Sequence, residues 1–131
     1  AKATSAQYAD LAEFYRADAD YLPGTVVSFG GDQEITISQI AADNTVAGVI
    51  STNASYMMNS ALSTPHRALV ALTGRVPTLV TGPVRKGAMM VSAGDGRAQA
   101  CATPAIGTVI GKSLENFDGE QGMIEIVVGR V

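Results

Sequence analysis

Hydrophobic residues along most of this chain come in short runs that are broken by glycine, proline and paired Gly-Asp residues. The runs are rich in Val, Ile and Thr, which favour β-strands, and the breaks are typical of tight turns. Pro77 separates two of the runs because proline cannot donate to a strand ladder. The predicted strands are Thr25–Phe29, Glu34–Ser38, Thr45–Ser51, Ala68–Val76, Thr78–Thr81, Ala88–Val91, Arg97–Ala102, Thr108–Ser113 and Met123–Val128.

This strand pattern occurs twice. When the sequence is slid along itself by 63 positions, glycines fall on glycines without a gap. After a shorter loop in the second copy, Ala71–Val76 falls on Ile126–Val131. We therefore interpret Gly24–Val76 and Gly87–Val131 as an internal duplication, and we expect an all-β fold, a compact barrel or sandwich of two similar halves. The matching glycines are Gly24 with Gly87, Gly31 with Gly94, and Gly48 with Gly111.

The first twenty residues differ from the rest. Their aromatic and apolar side chains recur at helical spacing, but part of the segment also alternates as a strand does. Acidic residues surround these side chains, so we expect the segment to dock on another surface. We predict that residues 1–20 form a docking segment, a short strand or helix packed outside a duplicated β-domain of residues 21–131. The side chains concerned are Tyr8, Leu11, Phe14 and Tyr15.

The loop Asn53–Arg67 is where the first copy is longer than the second. Loops grafted onto a repeated scaffold are where specificity usually lies. Tyr56, Met57 and Met58 in this loop form either an exposed recognition patch or a lid over a barrel end. The full candidate contact surface comprises Tyr8, Leu11, Phe14, Tyr15, Tyr56, Met57 and Met58.

Composition excludes several classes of partner. A chain of 131 residues is one domain by size. Its nine Lys and Arg residues are scattered and its net charge is −3, so no basic stripe indicates nucleic acid. The longest apolar runs are far shorter than a membrane span, and we expect no membrane insertion. The single cysteine, Cys101, excludes an internal disulfide.

No residue pattern indicates catalysis. His66 has a serine and a threonine nearby in sequence, but a catalytic base also needs an orienting acid, and an exposed loop histidine is the simpler interpretation. Cys101 stands among alanines in a predicted strand, which is typical of a buried, inert thiol. Gly111-Lys112-Ser113 resembles the end of a phosphate-binding loop, but Ile106 stands where that motif needs its first glycine. We predict no catalytic, cofactor-binding or metal-binding residues, and no cofactor.

A resemblance to a known family rests on stretches spread over most of the chain: Ala9–Tyr15, Leu22–Val27, Val46–Asn53, Ala71–Pro77, Ile110–Phe117 and Ile124–Arg130. They resemble the C-terminal region of tail fibre and appendage proteins of tailed phages. The chain is also similar to the autoproteolytic, intramolecular-chaperone peptidase domain of phage pre-neck appendages. The resemblance implies a β-rich domain at the distal end of a trimeric fibre, sometimes cleaved from its parent chain. No catalytic dyad of that family can be placed on residues of this chain.

The resulting expectation is a non-catalytic structural module of the virion, a tail fibre or appendage tip that acts in trimer assembly or host-surface contact. The expected partners are further copies in a homotrimer, other virion proteins, and a glycan or protein of the host surface. Two alternatives remain: a self-cleaving intramolecular-chaperone peptidase domain, and a capsid decoration protein. The expected location is the virion.

Overall fold

The computed structural model describes residues 10–52 and 54–129, which fold into ten β-strands and contain no helix. This confirms the predicted all-β fold. The strands belong to one sheet that curls on itself. They are β1 (Asp10–Arg16), β2 (Val26–Phe29), β3 (Ile35–Ile37), β4 (Val46–Ile50), β5 (Tyr56–Met58), β6 (Arg67–Thr81), β7 (Met89–Gly94), β8 (Arg97–Ala100), β9 (Val109–Ser113) and β10 (Gln121–Val128).

Five of the strands form a closed barrel, which we call the second barrel. β10, β9, β7 and β8 pair in that order, and β6 closes the circle by pairing with both β10 and β8. The pairs are antiparallel except that β6 and β8 meet in parallel at Val80 and Ala98. Met90, Ile124 and Ile126 are among the buried aliphatic side chains that fill the interior. The barrel is therefore a packed core rather than a channel.

The strands of the first copy follow the same path around their own core, and we call them the first barrel. β3, β2 and β4 pair in that order, β6 follows β4, and β1 pairs with β6. An isolated parallel bridge between Ala17 and Ile35 connects the end of β1 to β3. It has the position that the bridge between Val80 and Ala98 has in the second barrel.

The register of the strands confirms the internal duplication. Val27 is paired with Ile37 in the first barrel, and Met90, which follows Val27 by 63 positions, is paired with Ala100. The ladder to the next strand is irregular directly after Val27 in one barrel and directly after Met90 in the other. The two copies therefore share strand order, register and the place of a β-bulge.

β6 belongs to both barrels. Its first half, up to Gly74, is the last strand of the first barrel, and its second half is the first strand of the second. Phe14 of β1 is paired with Leu69, and Pro77, which follows Phe14 by 63 positions, is paired with Glu125. The described part of the N-terminal segment is thus one of the strands that form the first barrel. From the sequence we expected this segment to pack on the outside of the β-domain.

Pro77 does not divide β6 into two strands as its sequence predicted. The N–H of Leu79, two residues later, donates to the carbonyl of Gly24 at 2.9 Å and so points away from β10. Alternate residues of a strand direct their N–H groups to the same side. The N–H that proline lacks would have pointed away from β10 as well, so the long ladder between β6 and β10 loses no hydrogen bond.

The structure shifts the predicted alignment of the last strand of the repeat by one residue. Val49 is paired with Ala71 in the first barrel, and its equivalent Lys112 is paired with Val127 in the second. Ala71 is therefore equivalent to Val127, not to Ile126, and the spacing between the copies falls from 63 to 56 positions across the longer loop. The identical Gly-Arg-Val triplets that suggested the other alignment are coincidental.

Glycine is required where β4 passes β6 in the first barrel and where β9 passes β10 in the second. A Cβ on Gly48 would lie 2.6 Å from the carbonyl oxygen of Ala71. A Cβ on the equivalent Gly111 would collide with the carbonyl oxygen of Val127, which is the equivalent of Ala71. The same close approach of two backbones is thus built into both barrels.

The outer face of the first barrel packs on the second barrel. Val26, Ser38, Val49 and Ala71 lie on this face, and each is 0% exposed. The turn between β7 and β8 completes the contact, because the N–H of Val26 donates to the carbonyl of Gly96 at 2.8 Å and the N–H of Gly96 donates to the carbonyl of Ser38 at 2.9 Å. The barrels are joined by this interface as well as by β6.

Candidate contact surface

The structure brings the two parts of the predicted contact surface together. β5 lies parallel to β1, with Leu11 paired with Tyr56 and Glu13 with Met58. β5 belongs to the loop by which the first copy is longer than the second, so it is an addition to the edge of the first barrel. The predicted residues in these two strands are Leu11, Phe14, Tyr15, Tyr56, Met57 and Met58, while Tyr8 lies outside the described residues.

Hydrogen bonds at the start of β1 hold this loop in place. The N–H and the hydroxyl of Ser55 both donate to the carbonyl of Asp10, each at 3.1 Å. The hydroxyl of Ser51 donates to Oδ2 of Asp10 at 2.8 Å. Burial raises the pKa of the Asp10 carboxyl, and the hydrogen bond from Ser51 opposes that shift. Asp10 therefore connects β1, the end of β4 and the loop that carries β5.

Phe14 lies beneath a cation rather than facing solvent. The guanidinium carbon of Arg67 is 3.9 Å from the centre of its ring, within the range of a cation–π interaction. The same guanidinium donates to the carbonyl of Ser60 at 2.9 Å, and the side-chain amide of Asn59 donates to the carbonyl of Phe14 at 3.0 Å. Phe14 therefore anchors the part of the loop that returns to β6.

Tyr15 packs against the core of the first barrel. Its ring meets Phe29 edge to face, with centroids 5.7 Å apart and planes at 77°. Its hydroxyl donates to Oε1 of Glu13 at 3.4 Å. Burial raises the pKa of Tyr15, and the nearby Glu13 carboxylate raises it further. Tyr15 is therefore a structural side chain more than a contact.

Tyr56 and Met57 are the members of the predicted surface that face solvent, at 64% and 48% exposed. Leu11, beside Tyr56, is half-buried. Large apolar side chains on an exposed edge strand are typical of a surface that meets another protein. We call this group of Leu11, Tyr56 and Met57 the β5 edge.

The other candidate residues do not assemble a reactive site. Nδ1 of His66 is 2.9 Å from Oδ1 of Asp20, and both side chains are well exposed. Gly111-Lys112-Ser113 lies in β9 and forms no loop. In the described ranges, no group of three or more His, Cys, Asp or Glu side chains is placed to hold a metal ion. No helix in that part of the chain is long and apolar enough to cross a membrane.

Cys101 is half-buried, so the prediction of a buried thiol is wrong. It lines an open cavity of about 400 Å³ on the outer face of the second barrel, which we call the β7 groove. No single residue of the sequence indicates this groove, because its alanine side chains have no reactive or charged groups. A comparison of equivalent positions in the two copies could have indicated it. The residues that define it are Ala88, Met89, Ala100, Cys101, Ala102 and Lys112.

Comparison of the sequence with models of known protein families finds no match, and comparison with curated proteins finds no significant match.

Proposed function

We propose that this chain is a non-catalytic structural module of a phage virion, a tail fibre or appendage tip that forms a homotrimer and contacts other virion proteins or the host surface. The observation that carries the proposal is the β5 edge. Tyr56 and Met57 are exposed on a strand that has been added to one copy of a duplicated barrel. A strand added to only one copy is not needed to complete that barrel, so its exposed side chains are free to serve recognition.

The anchoring of the β5 edge supports this role. Asp10, Ser55, Phe14 and Arg67 fix the loop that carries β5 at both of its ends. A surface that is rigid before it meets its partner loses less conformational entropy on binding. Exposed apolar side chains on such a support are suited to a protein contact, or to stacking on a sugar ring.

The test introduces Tyr56→Ser together with Met57→Ser into the genome of the phage that carries this chain. We expect virions that lack the module or that adsorb poorly to the host. Leu22→Ser is the matched control, since Leu22 is also apolar and is 77% exposed but precedes β2 and does not belong to the β5 edge. Normal virions and normal adsorption of the double variant would contradict the proposal. Immunogold labelling of the capsid instead of the tail would favour a decoration protein.

A self-cleaving domain is the second candidate, and the pair of Asp10 and Ser51 is the observation that favours it. A carboxyl with a raised pKa that accepts a hydrogen bond from a hydroxyl is a possible base beside a nucleophile. Ser51 is only 6% exposed, however, so only a peptide bond of the same chain could reach it.

Intact mass of a longer parent chain decides between the two candidates. Loss of cleavage in both Asp10→Asn and Ser51→Ala would establish the self-cleaving domain. His66→Ala and Cys101→Ala are the controls and should leave processing unchanged. A parent chain that stays intact supports the non-catalytic module.

A further inference from the structure

We propose that the β7 groove of one copy of this chain binds the β2–β3 turn of a second copy, head to tail. The proposal deepens the proposed homotrimer by naming the contact between its subunits. It rests on a comparison of the two barrels position by position, because the first barrel already uses the equivalent of this groove.

In the first barrel, the equivalent site is filled by the turn between β7 and β8. A Cβ on Gly96 would lie 2.9 Å from Cγ2 of Thr25 and 3.0 Å from Cδ1 of Ile37. A Cβ on Gly94 would lie 3.0 Å from the carbonyl oxygen of Gln39. The turn therefore fits tightly, and glycine is needed because those three residues leave no space for a side chain.

In the second barrel, the residues equivalent to Thr25 and Ile37 are Ala88 and Ala100, which line the β7 groove. Ala102, equivalent to Gln39, lines it as well. None of the described residues occupies this groove in the way that the β7–β8 turn occupies its counterpart. The groove is thus the second barrel's version of an internal interface, widened where Ala88 and Ala100 replace the larger side chains of Thr25 and Ile37.

Burial shows the same difference between the copies. Val26, Ser38 and Val49 are 0% exposed in the first barrel, where the second barrel covers them. Their equivalents Met89 and Cys101 are half-buried, and the third equivalent, Lys112, is exposed. The backbone repeats as well, because the N–H of Cys101 donates to the carbonyl of Met89 just as that of Ser38 donates to Val26.

The β2–β3 turn is the occupant that the repeat selects, and it is the wider of the two turns. Five residues separate the paired Phe29 and Ile35, whereas two separate the paired Gly94 and Arg97. The β2–β3 turn is the first-copy equivalent of the β7–β8 turn, with Gly31–Gln33 at the positions of Gly94–Gly96. All three of its residues are exposed. Gln33 stands where the other turn has Gly96, so it needs more room. The alanines of the β7 groove supply that room.

Charge favours the same occupant. Lys112 stands at the groove where the first barrel has the apolar Val49. The other cation of the lining, Arg85, is already paired with Asp118. The β2–β3 turn carries Asp32 and is followed by Glu34, both exposed. Opposite charges on two surfaces guide their encounter and fix their orientation. Lys112 of one copy and the acidic turn of another are therefore complementary.

A contact between two different surfaces of the same chain is heterologous. Such contacts close into a ring when the rotation between subunits permits it, and otherwise build a filament. Three copies joined groove to turn in a closed ring give the proposed homotrimer.

Sedimentation velocity with two complementary variants tests the contact. Ala100→Arg blocks the groove and leaves the turn intact, while Asp32→Lys combined with Gln33→Lys blocks the turn and leaves the groove intact. We expect the wild type and the control Leu22→Arg to form trimers at high micromolar concentration, and each blocked variant to be monomeric. A mixture of the two blocked variants should form a dimer that does not grow, because only one groove and one turn remain competent.

A wild-type monomer would overturn the contact and the trimer together. It would not affect the proposed virion role of the β5 edge, which the Tyr56→Ser and Met57→Ser variant tests separately. A trimer that survives both blocked variants would overturn the contact alone. Cross-linking gives a second readout, since Gln33→Cys should form a disulfide with Cys101 of another copy under mild oxidation. Ser60→Cys, in the loop that carries β5, is the matched control and should not. Equal cross-linking of both variants would also refute the contact.

Discussion

Replacing Gly48 by alanine tests the close approach of backbones that both barrels share. The added Cβ would lie 2.6 Å from the carbonyl oxygen of Ala71 and 3.0 Å from Cγ1 of Val70. Ordinary contacts between a carbon and a carbonyl oxygen of adjacent strands are about 3.3–3.6 Å long. β4 and β6 would therefore have to separate by roughly 0.7 Å at a point where both are buried.

The cost follows from two effects. Overpacking a well-packed core costs about 1–3 kcal/mol. Gly48 also has a φ of 155°, and placing an L-residue at positive φ costs roughly 1–2 kcal/mol. Replacing a glycine also reduces the conformational entropy of the unfolded chain, which offsets about 0.4–1 kcal/mol of this destabilisation. We expect Gly48→Ala to lower the free energy of unfolding by about 1–5 kcal/mol.

Urea unfolding followed by far-UV circular dichroism measures the change. Gly87→Ala is the matched control, because Gly87 also has a positive φ, of 87°, but a Cβ there would meet no atom within 4 Å. The difference between the two variants, about 1–3 kcal/mol, isolates the steric overlap. Gly111→Ala should also be destabilised, but by the steric overlap alone, because Gly111 is not at positive φ. If Gly48→Ala is no less stable than Gly87→Ala, the close approach does not exist.

Three further predictions concern single side chains. Because the pKa of Asp10 is raised above its ordinary value of 3.8, its contribution to stability is present at low pH and is lost as pH rises through the raised value. Asp10→Asn should therefore gain stability relative to the wild type as the pH rises above 3.8 in urea unfolding, and parallel curves would refute this. A double-mutant cycle of Arg67→Met and Phe14→Leu should give a coupling of about 0.5–1 kcal/mol, whereas zero coupling would exclude the cation–π contact. Val26→Asp should prevent folding, while Met89→Asp at the equivalent position should melt within a few degrees of the wild type at a protein concentration too low for trimers to form; similar melting of both variants would refute the difference in burial.

The duplication could be predicted from sequence because the turn glycines carry it. Gly24 and Gly87 have φ values of 92° and 87°, which other residues rarely adopt, so both copies keep glycine there. The strands between the turns are constrained only to be apolar and of suitable size. Their register therefore had to come from the structure.

The equivalence of β1 to the second half of β6 could not be predicted. Asp10–Ala17 and Thr73–Val80 have no identical residue at any equivalent position, although they occupy the same place in the two barrels. Barrel strands tolerate many combinations of side chains as long as the total core volume is kept. The first strand of each copy therefore retains no trace of the duplication in its sequence.

Two of the candidate stretches lie side by side in the structure, but the sequence could not predict which of their side chains face solvent. The sequence pointed to the aromatic and apolar side chains of the N-terminal segment and the long loop, and β1 and β5 are indeed adjacent. Which of them face solvent depends on Arg67 covering Phe14 and on Phe29 packing against Tyr15. Such long-range contacts leave no local pattern in the chain.

The continuity of β6 has a consequence for motion. Two-domain chains usually bend at a flexible linker, and relative domain movement is the default expectation when few contacts cross the boundary. Here the last strand of one barrel runs directly into the first strand of the next through Gly74, which is paired with Asp10 on one side and with Val128 on the other. In the described residues, a continuous hydrogen-bonded strand stands at this boundary in place of a linker. We therefore expect a load applied to one barrel to be transmitted to the other through this strand.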